Sequence, residues 1–475
     1  DGRYYNNHRL APFLEEDLEV TGSTSKAQEF QVIVQSFLYK VWRVFDSDVS
    51  LLKIAFLTPL IIATLSIIPI FFLVRKIAGD LGGLVAGTIL AINPFGLTRT
   101  VAGFADTDAF NFLFPIVIFG FLVLAIDHKK ITQRIIYSAL AGLSIGLYSF
   151  SWGGWMFMVS FSIFFLLGII AFKLIKMIWN KKIKLNKFKE IGTVFVSFLI
   201  FSGISTLITG RFSYFINAPK GIIKFIQLKA VATKTIWPNV YTTVAELNPG
   251  NIGNIFSTIG GKLALLFTLL GIILSFYAYK KIKRDDAFLI GGSFLWFVFI
   301  IYLKDSFSSI TKFILILGLP IIIKFLFVIF KEIKEDKENV EERYNIIFPL
   351  MFTIYLFGTM FSLSRGVRFS LLLIPAYAIC FGAFAGIATK KLAELIKNTL
   401  NLNKTITYII LIIILGIIVL QPISAAKNVV GSQVPSMNDQ WYEALIKIKE
   451  DSKEDAIINS WWDFGHWFKA IGDRG

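Results

Sequence analysis

The sequence predicts an all-α polytopic membrane protein, and three observations carry that expectation. Of 475 residues, 55% are hydrophobic and only 17% charged, with a mean hydropathy of +0.67. Soluble domains carry roughly 25% charged residues, so a soluble, disordered or fibrous chain is excluded. The apolar residues come in runs near the length of about 20 that crosses a bilayer as a helix. Finally, Lys and Arg crowd into alternate gaps between those runs.

Residues 1–50 are too polar to span. Within them, 27–45 places Phe30, Ile33, Val34, Phe37, Leu38, Val41 and Trp42 at helical spacing, which predicts an amphipathic helix lying in the membrane interface. Twelve spans are expected over residues 51–422: 51–74, 81–97, 110–127, 135–150, 154–172, 191–209, 262–279, 287–303, 313–330, 344–362, 369–388 and 405–422. Between the sixth and seventh, residues 210–261 are expected to form a long external loop, a length that usually signals function or disorder. Residues 423–475 read as the beginning of an external soluble domain, with a helix near 437–450.

Charge sets the orientation. The gaps after spans one, three, five, seven, nine and eleven hold 24 Lys and Arg, against five in the short opposite loops. Cations gather on the cytoplasmic side, so the N-terminal segment and the long loop are expected outside, at the cell surface. The net charge of +16 is thereby assigned to membrane gaps, and no nucleic-acid partner is expected. The single cysteine, Cys380, excludes a disulfide framework, and with three scattered histidines no zinc site is expected.

The unusual polar groups then share one face. Asp106 and Asp108 offer two hard oxygen donors suited to Mg²⁺ or Mn²⁺, though an Asp before an apolar run is also an ordinary helix cap. Arg99 and Arg368 stand where they could hold an anion; the plainer reading is an interfacial anchor, as for Arg365. Glu246 alone is a loop carboxylate. Trp461-Trp462-Asp463 is harder to dismiss, because ten Trp in 475 residues rarely fall side by side before an Asp. Two indoles and a carboxylate can build a pocket for a hydroxyl.

Trp461-Trp462-Asp463-Phe464-Gly465 resembles the signature of oligosaccharyltransferase catalytic subunits, the membrane enzymes of protein N-glycosylation. The remaining motifs resemble that family in order: Arg99 through Asp106-Thr107-Asp108, Thr243-Val244-Ala245-Glu246, Arg368-Phe369, and Asp1-Gly2 with Tyr4, Tyr5 and Arg9. The variant forms look most like archaeal members. The resemblance implies a GT-C glycosyltransferase architecture of thirteen spans, one of them ahead of Asp1, and a further motif beyond Gly475. It also implies en bloc transfer of an oligosaccharide from a dolichol phosphate or diphosphate carrier to the Asn amide of Asn-x-Ser/Thr, with inversion. In that scheme Asp1, Asp106, Asp108 and Glu246 hold Mn²⁺ or Mg²⁺, and Asp1, Asp106 and Glu246 are catalytic. Arg368 and Arg99 hold the lipid phosphate, and Trp461, Trp462 and Asp463 bind the sequon. The alternatives are another lipid-linked-sugar transferase of the same architecture, which has no use for the Trp pair, and a transporter or flippase. The latter would carry ionisable groups at mid-span, and these spans are nearly free of them.

Overall fold

The computed structural model describes residues 29–179, 185–218, 244–332, 340–434, 437–460 and 464–474. Among them there are helices and turns and no strand, as backbone polar groups in lipid require when a sheet cannot close. Asp1 and the Trp461-Trp462-Asp463 motif lie outside the described residues, as does 219–243 of the long loop.

Each of the twelve expected spans falls on helix, but nine helices among the described residues are long and apolar enough to cross a membrane, or ten if one bent pair counts as a span. Three local causes account for the difference. The first two spans are continuous as Leu51–Ala91. This stretch doubles back at Gly79, whose φ of 73° and ψ of −176° suit only glycine. The arms then lie side by side: a Cβ on Gly83 would stand 2.7 Å from the Phe71 carbonyl, twelve residues earlier.

The second cause is the helix Ile131–Ser151, which falls outside the apolar set because its packing face is made of small and hydroxyl residues. Gly142 and Gly146 bring it against Leu185–Ile208 so closely that a Cβ on either would stand under 3 Å from Ser202 or Ser205. The Ser205 hydroxyl donates to the Gly142 carbonyl across this contact at 2.8 Å. Small residues that let backbones approach, with hydroxyls bonding across, are how helices associate in lipid. Third, Ile252–Ile259 and Lys262–Ser275 meet at 85°, a bend made at Gly260 and Gly261. The expected external loop 210–261 therefore includes helix, at 212–218 and at Ile252–Ile259.

The helix Ser370–Leu400 runs through the middle and is buried over most of its length. Gly382 and Gly386 seat it against the second arm of the hairpin at Gly82 and Ala86, and Cys380 is buried where Gly271 meets its carbonyl. Near the N-terminus, Glu29–Trp42 forms the expected helix. Phe30 packs on Phe110, Phe114 and Phe150, while Ile33, Phe37 and Val41 stay exposed. The last long helix, Lys404–Ser432, continues past residue 422, and the helix expected near 437–450 is Asp439–Asp451, capped by Asn438.

The gaps meet at two ends of the bundle. At the basic end Lys76 pairs with Asp127 at 2.5 Å, Tyr344 donates to the same carboxylate, and Arg134 pairs with Glu190 at 3.0 Å. Lys391 donates there to the Lys280 carbonyl at 2.8 Å. At the other end Asn93 donates to the Thr258 carbonyl at 2.8 Å, and Gly103 donates to Phe56 at 2.9 Å.

Candidate active site

The second end collects the chemistry, because three turns that are far apart in sequence are locked together there. Backbone bonds tie 248–250 to the turn 363–367: Gly250 donates to the Leu363 carbonyl at 3.0 Å and Val367 to the Asn248 carbonyl at 2.9 Å. Gly250 must be small at this contact, since a Cβ would stand 2.8 Å from that carbonyl oxygen. Docking this strip presents Glu246 to the Arg99–Asp108 turn.

Arg99 is the bridge. One guanidinium nitrogen lies 2.6 Å from Glu246 Oε1 and another 3.7 Å from Asp108 Oδ2, and the group also stands 5.3 Å from the Phe104 ring centre. A planar fork on an aromatic face holds its direction in a way an ammonium cannot. Asp106 accepts from the Thr107 backbone N–H at 2.6 Å and caps the short 3₁₀ turn Thr107–Ala109, so its capping role is realised. Asp108 is 2% exposed, and its Oδ1 is buried with no hydrogen-bond partner among the described residues. Asp106, Arg368, Arg99 and Glu246 all lie within electrostatic reach of it.

Arg368 stands 6.0 Å from the Trp152 ring centre. Trp152 in turn stacks on Tyr148, whose hydroxyl donates to Asn111 at 2.6 Å. Asn111, Tyr148 and Trp152 are buried beside the carboxylates and were not among the residues singled out above. Asn111 had a signal, an amide inside an apolar run three residues after Asp108; Tyr148 and Trp152 had none. Arg365 faces the Phe361 ring at 4.9 Å instead.

The structure thus gathers Arg99, Asp106, Asp108, Glu246 and Arg368 from the predicted set. Among the described residues, no three acidic, histidine or cysteine side chains surround one metal position. The donor chemistry still suits a hard divalent cation: Asp108 brings a buried oxygen with no donor among the described residues, and two further carboxylates are at hand. In this structure Arg99 supplies the positive charge between Asp108 and Glu246.

Fold and site together define a multi-pass membrane protein of the GT-C fold, with a carboxylate–arginine cluster at one end of its helix bundle. The family model for oligosaccharyl transferase STT3, N-terminal, matches residues 21–423, and the chain belongs to that family. It is 30% identical to the dolichyl-phosphooligosaccharide–protein glycotransferase of Methanococcus voltae over 481 residues, covering 93% of this chain and 52% of the relative. Identity to the glycotransferase of that name from Methanocaldococcus jannaschii is 26%, covering 90% of this chain and 54% of the relative. The chain spans about half the length of these curated relatives. A solved structure of the archaeal oligosaccharyltransferase from Archaeoglobus fulgidus, with an inhibitory peptide and a dolichol-phosphate, superposes with a TM-score of 0.52 over 94% of this chain and 55% of the other. At 16% identity that likeness shows the shared fold.

Proposed function

We propose that this chain carries the transmembrane catalytic part of an oligosaccharyltransferase that moves an oligosaccharide from a dolichol phosphate or diphosphate to the side-chain amide of Asn in Asn-x-Ser/Thr. The observation that carries this reading is the meeting of Asp108, Arg99 and Glu246 beside Arg368, four groups drawn from three distant stretches of chain. Family membership and the names of the relatives support it.

The chemistry asks for these residue types. An amide nitrogen is a weak nucleophile because its lone pair is delocalised into the carbonyl. Glu246, with Asp1, would accept hydrogen bonds from the amide N–H groups and hold the nitrogen turned toward the sugar. The nitrogen–anomeric carbon bond forms as the bond to the phosphate oxygen breaks, with inversion, and the proton the nitrogen gives up passes to a carboxylate that held it or to the departing phosphate. Arg368, and Arg99 beside it, would take the growing negative charge on the leaving phosphate. Asp106, Asp108 and Glu246, with Asp1, would hold Mn²⁺ or Mg²⁺, and when bound the ion supplies further charge neutralisation at that phosphate. Trp461, Trp462 and Asp463 would accept the sequon hydroxyl, away from the bond-making atoms.

The same proposal assigns the cluster to the external face of the cell membrane. It treats 1–50 as an external segment, 51–422 as the membrane domain and 423–475 as the start of an external soluble domain.

The test uses the full-length enzyme in detergent or bilayer with Mn²⁺, a dolichol-linked glycan extract and a fluorescent peptide bearing one Asn-x-Thr. A gel shift lost with EDTA, and lost when the Asn becomes Gln, is the expected result. Sugar appearing on a lipid or a hydroxyl would assign the chain to another transferase class.

A further inference from the structure

The basic end holds a cavity of about 1160 Å³ between Lys262–Ser275, Arg284–Tyr302 and Ser370–Leu400. That is larger than the roughly 300–1,000 Å³ of most small-ligand pockets. Its three walls change character in the same direction. One runs from Leu270 and Leu274 to Lys281 and Lys283, another from Phe294 and Ile290 to Arg284, and the third from Phe384 and Ala388 to Lys390 and Lys397. Among the described residues, seven lining side chains are Lys or Arg, and Glu394 is the single acidic one. A slot that is apolar inside the bundle and cationic at its mouth matches an amphiphile with an anionic head.

Arg284–Tyr302 presents Gly291 to this space, and a Cβ there would meet nothing within 4 Å. A neighbouring glycine, Gly292, is equally open but is not part of the lining. Alanine would favour the helix at Gly291, and the glycine there leaves this wall of the cavity open.

We propose that this cavity is a binding site for a membrane phospholipid with a net-negative phosphate headgroup, seated at the opposite end of the bundle from the carboxylate cluster. The lipid's chains lie along the apolar walls while Lys281, Lys283, Arg284, Lys390 and Lys397 receive the phosphate. Basic pockets between transmembrane helices on the positively charged side hold such headgroups, and each nearby cation adds to the attraction. The assignment is independent of the proposed transferase activity.

The test is native mass spectrometry of the delipidated full-length protein, titrated with phosphatidylglycerol, with phosphatidylcholine of the same chains, and with inorganic phosphate. One phosphatidylglycerol should be retained about tenfold more tightly than phosphatidylcholine, given several cations at the mouth. Inorganic phosphate at equal concentration should leave it in place. Gly291→Phe should lower that retention about tenfold by filling the slot, whereas Gly292→Phe should match the wild type. Lys281→Gln with Lys390→Gln, both at the mouth of the cavity, should remove most of the preference between the two lipids while the melting temperature is kept. Equal retention of both lipids, displacement by inorganic phosphate, or wild-type retention in Gly291→Phe would overturn the proposal.

Discussion

The two ends of the bundle both join charged side chains from distant stretches, yet they are built differently. At the basic end, beside the cationic cavity, two ion pairs between helices are closed on themselves: Asp127 takes both Lys76 and Tyr344, and Arg134 takes Glu190 and the His128 carbonyl. At the other end one arginine serves two carboxylates, and a buried oxygen of Asp108 has no donor among the described residues. Closed pairs hold helices together; an open cluster has capacity left for something else. Asp108 Oδ1 is the one carboxylate oxygen among the buried side-chain atoms that lack a partner in the described residues, and a site awaiting a ligand is one of the reasons such atoms survive.

The largest expected effect separates the ends by function. Asp108→Ala or Glu246→Ala in the full-length enzyme should cut peptide glycosylation on the order of 10²–10³-fold, the scale seen when one electrostatic catalytic group is removed. The melting temperature should barely move for Glu246, whose side chain is 37% exposed, since such pairs contribute about 1 kcal/mol or less. Wild-type turnover in both variants would dissolve the distinction between the ends.

Next comes the bridge. Arg99→Lys keeps the charge but loses the fork that reaches both carboxylates. Activity should stay well below wild type, by roughly tenfold or more, because arginine and lysine are not equivalent where two acceptors are engaged. Full rescue by lysine, measured as kcat/KM, would reduce Arg99 to a point charge.

For the hairpin turn and the closed pairs at the basic end, away from the cavity, the readout should be stability alone. Gly79→Ala adds a methyl group that meets nothing, yet it forces alanine into a backbone region reserved for glycine, at a cost of about 1–3 kcal/mol. A lowered melting temperature with unchanged turnover per folded molecule is expected. Lys76→Met should be milder. It leaves Asp127 with Tyr344 as its remaining partner, for a loss of roughly 1–2 kcal/mol in thermal unfolding. Any change in metal dependence or peptide affinity in these two variants would mean that the ends are coupled.

Much of the fold was readable because it rests on local chemistry. An apolar run of membrane length must be helical, so each of the twelve expected spans lies on helix. Asp106 starts its turn through its own side chain, in the capping role its place before an apolar run suggests. The number of crossings was less readable. Ile131–Ser151 spends its sequence on glycine and serine for a partner helix that composition does not reveal. The segment 210–261 reads as a long external loop, although its last part folds as the helix Ile252–Ile259 and reaches the Asn93 side chain through Thr258.

The site divides along the same line. By itself the sequence determined that carboxylates and arginines stand in turns at the ends of apolar spans, because charge cannot remain within lipid unless it is paired. It also placed Asp106 and Asp108 together, two residues apart on one turn. Only the tertiary structure decided that Glu246, 147 residues from Arg99, closes on it at 2.6 Å. The same holds for Trp152 coming to lie beside Arg368 and Tyr148 bonding Asn111. Hydropathy is a property of each segment alone. Which segments become neighbours depends on how glycine, serine and aromatic surfaces fit when the helices pack, and that fit belongs to pairs of helices far apart in the chain.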